Sequence, residues 1–201
     1  MKKTLIMLAA LAAGNVWAAD QDGAFLIGGG IAQDKGNYAD ELEDMLGSGF
    51  NVDDDGANLG SDLYVGYAFG GASSFRLGYR QFGDQSGDVF NSGIKIGEYE
   101  VEADGLYLAA DLLFPVTDNL FLGGTLGLQN WDGKATARTA LGTSSDSSDG
   151  RDFFYGVRGK FLFNERKGGV VAGYTLYSFE DEAGEELEYQ GFSLGLEGYF
   201  R

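Results

Sequence analysis

One stretch constrains this chain more than any other. From Gly105 to Trp131 it reads GLYLAADLLFPVTDNLFLGGTLGLQNW, two alternating segments joined by a turn. Leu106, Leu108, Ala110, Leu112 and Phe114 share one face, and Gly105, Tyr107, Ala109, Asp111 and Leu113 share the other. Successive strand side chains point to opposite sides, so an apolar row beside a small or polar row places one face against oil. Pro115 stands where its missing N–H costs no ladder bond, and Thr117, Asp118 and Asn119 supply turn chemistry. Leu120, Leu122, Gly124, Leu126 and Leu128 then resume the apolar row. A soluble sandwich would turn the other face to water. A membrane barrel would turn the apolar face to lipid and the small, polar face to its lumen.

The rest of the chain favours the barrel. Further alternating segments cover Ala24 to Gln33, Asp62 to Phe69, Ser74 to Phe82, Phe153 to Phe163, Gly169 to Phe179 and Leu187 to Phe200. With the central hairpin they make eight. Their connections alternate in length. Short ones begin at Gly70, Pro115 and Asn164; long ones span roughly Asp34 to Ser61, Gly83 to Tyr99, Asp132 to Asp152 and Glu180 to Glu186. Short turns at one end and long loops at the other are the pattern of outer-membrane barrels. The outward position nearest each short-turn end is usually Phe: Phe25, Phe69, Phe75, Phe114, Phe163 and Phe200. That spacing predicts one aromatic girdle at one membrane interface. Arg76, Arg80, Arg158 and Lys160 fall on the non-apolar face, where an apolar sandwich core would leave them expensively unpaired. Abundant Gly, Phe and Tyr with a single Pro suit uninterrupted strand pairing. The expected fold class is all-β: an eight-stranded antiparallel up-and-down transmembrane β-barrel, monomeric.

The chain opens with Met1-Lys2-Lys3, an apolar run from Thr4 to Val16, and Val16-Trp17-Ala18. This predicts a signal peptide over residues 1–18, cleaved after Ala18, and a barrel domain over 19–201. No later apolar run reaches the 18 or so residues of a spanning helix. There is no Cys to staple the fold and no His, the commonest general base. A net charge of −17 argues against a nucleic-acid partner.

The segments LYVGYAFGGASSFRLGYRQFG, LLFPVTDNLFLGGTLGLQNW, DFFYGVRGKF and FSLGLEGYF resemble the eight-stranded barrel of outer membrane protein A and its barrel-only relatives. The resemblance covers nearly all of the chain after the leader. It implies the outer membrane of a Gram-negative bacterium, reached through the periplasm, with lipid and lipopolysaccharide as surroundings. It also implies insertion by the barrel assembly machinery, which reads a closing strand; Ser193, Gly195 and Phe200 match that signal, while Gly198 stands where a large apolar residue is usual. No peptidoglycan-binding domain is expected.

Three features bear on function. Asp111, Lys160 and Glu197 each lie three residues from a girdle Phe and should sit at similar depth in the lumen, with Arg76 just below and Arg80 and Arg158 above. Small barrels are filled by side chains, so these charges should pair. Arg76 with Asp111 is the best pair, and by the resemblance the two positions match an acid–base pair with the signs exchanged. The network predicts a structural plug, or alternatively a rearrangeable gate in a narrow pore for ions or small solutes. Second, Asn51, Asp53, Asp55 and, at the twelfth position, Asp62 weakly fit a calcium loop, preceded by a short helix over Tyr38 to Leu46. A solvated acidic loop explains the same residues, so no cofactor or resident metal is expected. Third, acids crowd the long connections (Asp34, Asp40, Glu41, Glu43 and Asp44 in the first; Glu98, Glu100, Glu102 and Asp104 in the second), whereas a short turn holds Arg166 and Lys167. Such a face accommodates divalent cations, basic partners or an unidentified surface ligand. Ser144 to Gly150 reads as a flexible loop, not a catalytic triad, and Gly28-Gly29-Gly30 lacks the residues of a phosphate loop. No enzymatic activity is expected; the expected role is membrane integrity or surface interaction through the acidic loops.

Overall fold

In the computed structural model, which describes residues 23–69, 72–163, 167–180 and 186–200, ten strands and one helix follow one another. They are β1 (Ala24–Gly36), α1 (Tyr38–Leu46), β2 (Phe50–Asp54), β3 (Asn58–Phe69), β4 (Ser73–Gln81), β5 (Gln85–Asn91), β6 (Ile94–Pro115), β7 (Leu120–Thr139), β8 (Gly142–Phe163), β9 (Gly168–Glu180) and β10 (Glu186–Phe200). The leader, the turns after Phe69 and Phe163, and the middle of the fourth long connection lie outside the described residues.

The strands close on themselves. Neighbours in the sheet run β6-β4-β3-β1-β10-β9-β8-β7, and β7 returns to β6 through antiparallel pairs from Gly97–Thr139 to Pro115–Phe121. The first and last strands pair along their length, Phe25 opposite Phe200 and Gly36 opposite Tyr189. The ring therefore has eight wall positions, and its closure leaves no lipid-exposed backbone edge to go unsatisfied. One wall strand is broken. β4 pairs with β6 over Asp104–Asp111, and β5 pairs with the same strand over Ile94–Val101. Between them Phe82 N–H still donates to Ala103 O at 2.9 Å, after which Gly83 turns its N–H inward.

Alternation survives on every wall strand. Leu63, Val65, Leu77, Leu108, Phe153, Val157, Leu194 and Leu196 all face out and are exposed. An exposed apolar belt of this extent has no place in water, and around a closed barrel it is the lipid-facing surface. The expected girdle residues also face outward: Phe25, Phe75, Phe114, Phe163 and Phe200 are exposed and Phe69 is half-buried against Phe75, ring centroids 5.0 Å apart. The described short turn is fixed as its residues suggest: Val116 N–H donates to Leu120 O, and Thr117 Oγ1 accepts from the N–H groups of Asn119 and Leu120.

The long connections differ from expectation. Helix α1 spans Tyr38–Leu46 as the sequence predicts, but the second and third connections are not loops. β6, β7 and β8 run far beyond the apolar wall, and the third connection is a two-stranded ribbon turning at Ala140 and Leu141. With β2 and β5 they form a five-stranded sheet, β2-β5-β6-β7-β8, standing on the barrel rim. Ser144 to Gly150 is strand, not flexible loop. These residues carry no apolar period because they are all Ser, Asp or Gly; backbone pairing with β7 holds them extended.

Candidate functional site

The lumen holds three tiers. At the short-turn end Ala72, Leu113, Phe121 and Leu162 pack together with Tyr199 against them. Above them lies the charge network. Arg76, projected inward from β4, grips Asp111 of β6 with two parallel bonds, Nε to Oδ2 at 2.7 Å and Nη2 to Oδ1 at 2.9 Å. This bidentate geometry is the strongest form of the pair. Ser74 Oγ also donates to Asp111 Oδ2, at 2.9 Å. Arg158 Nε lies 3.5 Å from Asp111 on the other side. Its Nη2 donates to Glu197 Oε1 at 3.0 Å and to Tyr64 OH at 2.8 Å. Lys160 Nζ sits 2.8 Å from Glu197 Oε2 and donates to Ala72 O at 3.0 Å. Tyr199 OH donates to the same Glu197 oxygen.

These charges alternate along one chain: Arg76, Asp111, Arg158, Glu197, Lys160. Arg76 lies over the Tyr64 ring at 4.9 Å, a contact that adds attraction once water is removed. Arg76, Arg158 and Glu197 are almost fully buried, and Asp111 and Lys160 completely so. Unpaired, each would cost several kcal/mol, roughly the stability of a small domain; every one of them here has an opposite charge within reach.

The third tier was only half legible in the sequence. Arg80 does not join the lower network. Its Nη2 lies 2.5 Å from Asp34 Oδ1, and Gly83 N–H donates to Asp34 Oδ2 at 3.1 Å. Asp34 was expected among the acids of the first long connection. It is instead fully buried in β1, because that strand continues to Gly36 and Asp34 keeps the inward phase of Leu26 and Ala32. A side chain at Gly191 would strike Asp34 Oδ1 and Arg80 Nη2, so only glycine leaves the pair room. Arg80 is sandwiched against Phe82 and Tyr177, 4.9 Å from each centroid. Around it Phe82, Tyr177, Phe179, Tyr189 and Trp131 stack at 4.9 to 6.3 Å. Tyr64, Tyr107 and Thr125, which complete the bonding of Arg76 and Arg158, were also missed; their inward phase was the available signal.

The calcium-loop residues are not assembled. Asn51 and Asp53 lie in β2, opposite Phe90 and Asp88 of β5. Asp55 Oδ2 accepts from Ser86 Oγ at 2.8 Å. Asp62 points into the lumen and accepts from Tyr107 OH at 2.8 Å. Extended pairing pulls these side chains apart, and among the described residues no three metal-binding side chains converge.

A closed eight-position ring with an apolar exterior, a charged interior and short turns at one end defines an outer-membrane β-barrel. Comparison with known proteins agrees. Residues 4–200 match the family described as the outer membrane protein beta-barrel domain, and the chain belongs to that family. It is 32% identical to outer membrane protein A of Serratia marcescens over 146 residues, which is 67% of this chain and 38% of that relative. The chain thus matches well under half the length of that curated relative. Among solved structures it is similar to Ail, the attachment invasion locus protein of Yersinia pestis, with a TM-score of 0.54 at 18% identity over 90% of this chain and all of that one. It is similar as well to a major outer membrane protein of Thermus thermophilus, with a TM-score of 0.57 at 12% identity over 90% and 100% of the two chains. These structural likenesses speak for the fold. The protein is an outer membrane protein of Gram-negative type, as expected from its sequence.

Proposed function

We propose that this protein is a closed barrel that seals its own cross-section and holds an acidic sheet above the membrane for contact with other molecules. The observation that carries the reading is the continuous ionic chain from Arg76 to Lys160, packed between an apolar tier below and an aromatic tier above. A water path would have to break at least one buried bidentate or hydrogen-bonded ion pair, at a cost of about 3–5 kcal/mol when a partner is left uncompensated.

The projecting sheet supplies the second half of the role. Its outer face presents Glu98, Glu100, Glu102, Asp104, Asp132 and Asp149 against Lys134 and Arg138. Beside lipopolysaccharide phosphates such a face requires divalent cations or basic groups between the two negative surfaces. Ail has been solved with the heparin analogue sucrose octasulfate; a polyanion of that kind suits this acidic face poorly, and cationic partners suit it well. The barrel works as a monomer, and Ser193, Gly195 and Phe200 on the closing strand serve as its insertion signal to the assembly machinery.

Liposome swelling tests the seal. Vesicles carrying the refolded protein should swell in isotonic arabinose no faster than protein-free vesicles. Swelling that scales with protein content would instead make the ionic chain a gate and the protein a narrow pore.

A further inference from the structure

We infer that the outer edge of β8, from Thr143 to Arg151, is a docking edge that takes up an extended, basic polypeptide segment as an added β-strand. The inference rests on the surface-presenting half of the proposed function and names its partner class.

The pairing pattern exposes this edge. β8 pairs with β7 all the way from Gly142, opposite Thr139, to Phe161, opposite Leu120. Its pairing with β9 begins only at Phe154, opposite Tyr177. Above that point no described strand covers the β9 side of β8. The direction of its backbone groups follows from the wall below. The Val157 and Phe161 carbonyls lie against Gly173 and Gly169 of β9, whereas those of Ser148 and Gly156 lie against Gly133 and Gly124 of β7. Odd-numbered residues of β8 therefore turn their N–H and C=O groups toward the β9 side, and Thr143, Ser145, Ser147, Asp149 and Arg151 present them to solvent. Ser147 confirms the phase: its N–H has turned to the neighbouring Asp146 Oδ1, 3.0 Å away.

Natural sheet edges are commonly blunted by Pro, by bulges or by Lys. This one has none of these. Its side chains are small, with Ser144, Ser145, Ser147, Ser148 and Gly150, so a strand can approach closely. Its charge selects what can approach. Asp146 and Asp149 outnumber Arg151, and on the face of Asp149 the sheet continues acidic through Asp132, Asp104 and Glu102. A second copy of the same edge would bring two acidic strands and their acidic faces together, which is unfavourable. A segment with Lys or Arg at alternate positions gains backbone bonds from the edge and ion pairs from the face, the two components of strand addition.

The probe is a fluorescein-labelled peptide of alternating Lys and Val, about ten residues long to match the edge, titrated against the full chain in lipid nanodiscs. Its partner is a peptide of alternating Lys and Pro with the same length and charge, which cannot donate ladder bonds. The Lys-Val peptide is expected to bind at least about tenfold tighter. Ser145→Pro with Ser147→Pro removes two outward donors and leaves the bonds to β7 in place; it should weaken the Lys-Val peptide about tenfold while the heat-modifiable gel shift of the folded barrel persists. Asp146→Asn with Asp149→Asn should weaken both peptides. Equal affinity of the two peptides, unchanged binding to the proline variant, no binding up to millimolar peptide, or a dimer of the free protein dissolved by the proline substitutions each overturns the proposal. None of these outcomes bears on the seal, which liposome swelling reads separately.

Discussion

Asp111 faces two guanidinium groups and a hydroxyl at once, so it links the Arg76 and Arg158 ends of the lumen's ionic chain. Asp111→Ala would leave Arg76 and Arg158 buried with too little negative charge around them. The variant should lose about 3–5 kcal/mol of stability, read as an earlier urea midpoint in the gel-shift assay of the folded barrel. A midpoint within experimental error of wild type would show that water already screens the site. Gly191→Leu should be damaging for a different reason, because its side chain would occupy the space of the Asp34–Arg80 pair. Slower or incomplete refolding is expected, and refolding at the wild-type rate and yield would contradict the packing described for that tier. At this scale the sequence was legible wherever phase alone decided. Arg76 and Asp111 share the inward phase of adjacent strands, one residue from Phe75 and three from Phe114, and they meet. Asp34 has the same phase, but it follows the last apolar residue of its strand, and local composition there looks like the start of an acidic loop. Only the pairing of β1 with β3 and β10 carries the strand on to Gly36.

At the scale of elements, the apolar wall and the projecting sheet obey different rules. Wall strands are specified by alternation, since a slip of one residue would turn charges toward lipid. Upper β6 keeps it, with Tyr99, Val101 and Ala103 buried between acids, but the upper parts of β7 and β8 lack that signal, and their extended conformation comes from register inherited from below and from cross-strand pairs such as Arg138 with Glu100, 2.9 Å apart. This explains why the eight wall segments could be read from the chain while the ribbon looked like a Ser-rich loop. It also separates their folding. Replacing residues 136–145 by Asn-Gly, which closes a tight hairpin between the hydrogen-bonded pair Ala135 and Asp146, should leave the folded barrel intact by gel shift and circular dichroism. Loss of the folded species would show that the ribbon nucleates the wall.

For the whole molecule the polarity of the surfaces decides the setting. Leu108 lies midway along the outward row of β6, between Phe114 and Asp104, and is 61% exposed. Leu108→Arg should cost about 2–4 kcal/mol in a bilayer, the range for a charge near the midplane of a barrel's lipid face; a neutral effect there would place Leu108 outside the hydrocarbon. The same closed ring that creates this lipid surface confines six charged side chains of the two ion-pair tiers, with Asp34, in a lumen too narrow to leave them apart. Whether that lumen conducts separates a sealed barrel from a pore. Single-channel recording of the refolded wild-type protein in a planar bilayer addresses it most directly. A sealed lumen gives a silent bilayer at all voltages the membrane withstands, with protein insertion verified in the same preparation. Discrete openings in the wild-type protein would contradict it and make the pair of Arg76 and Asp111 a gate.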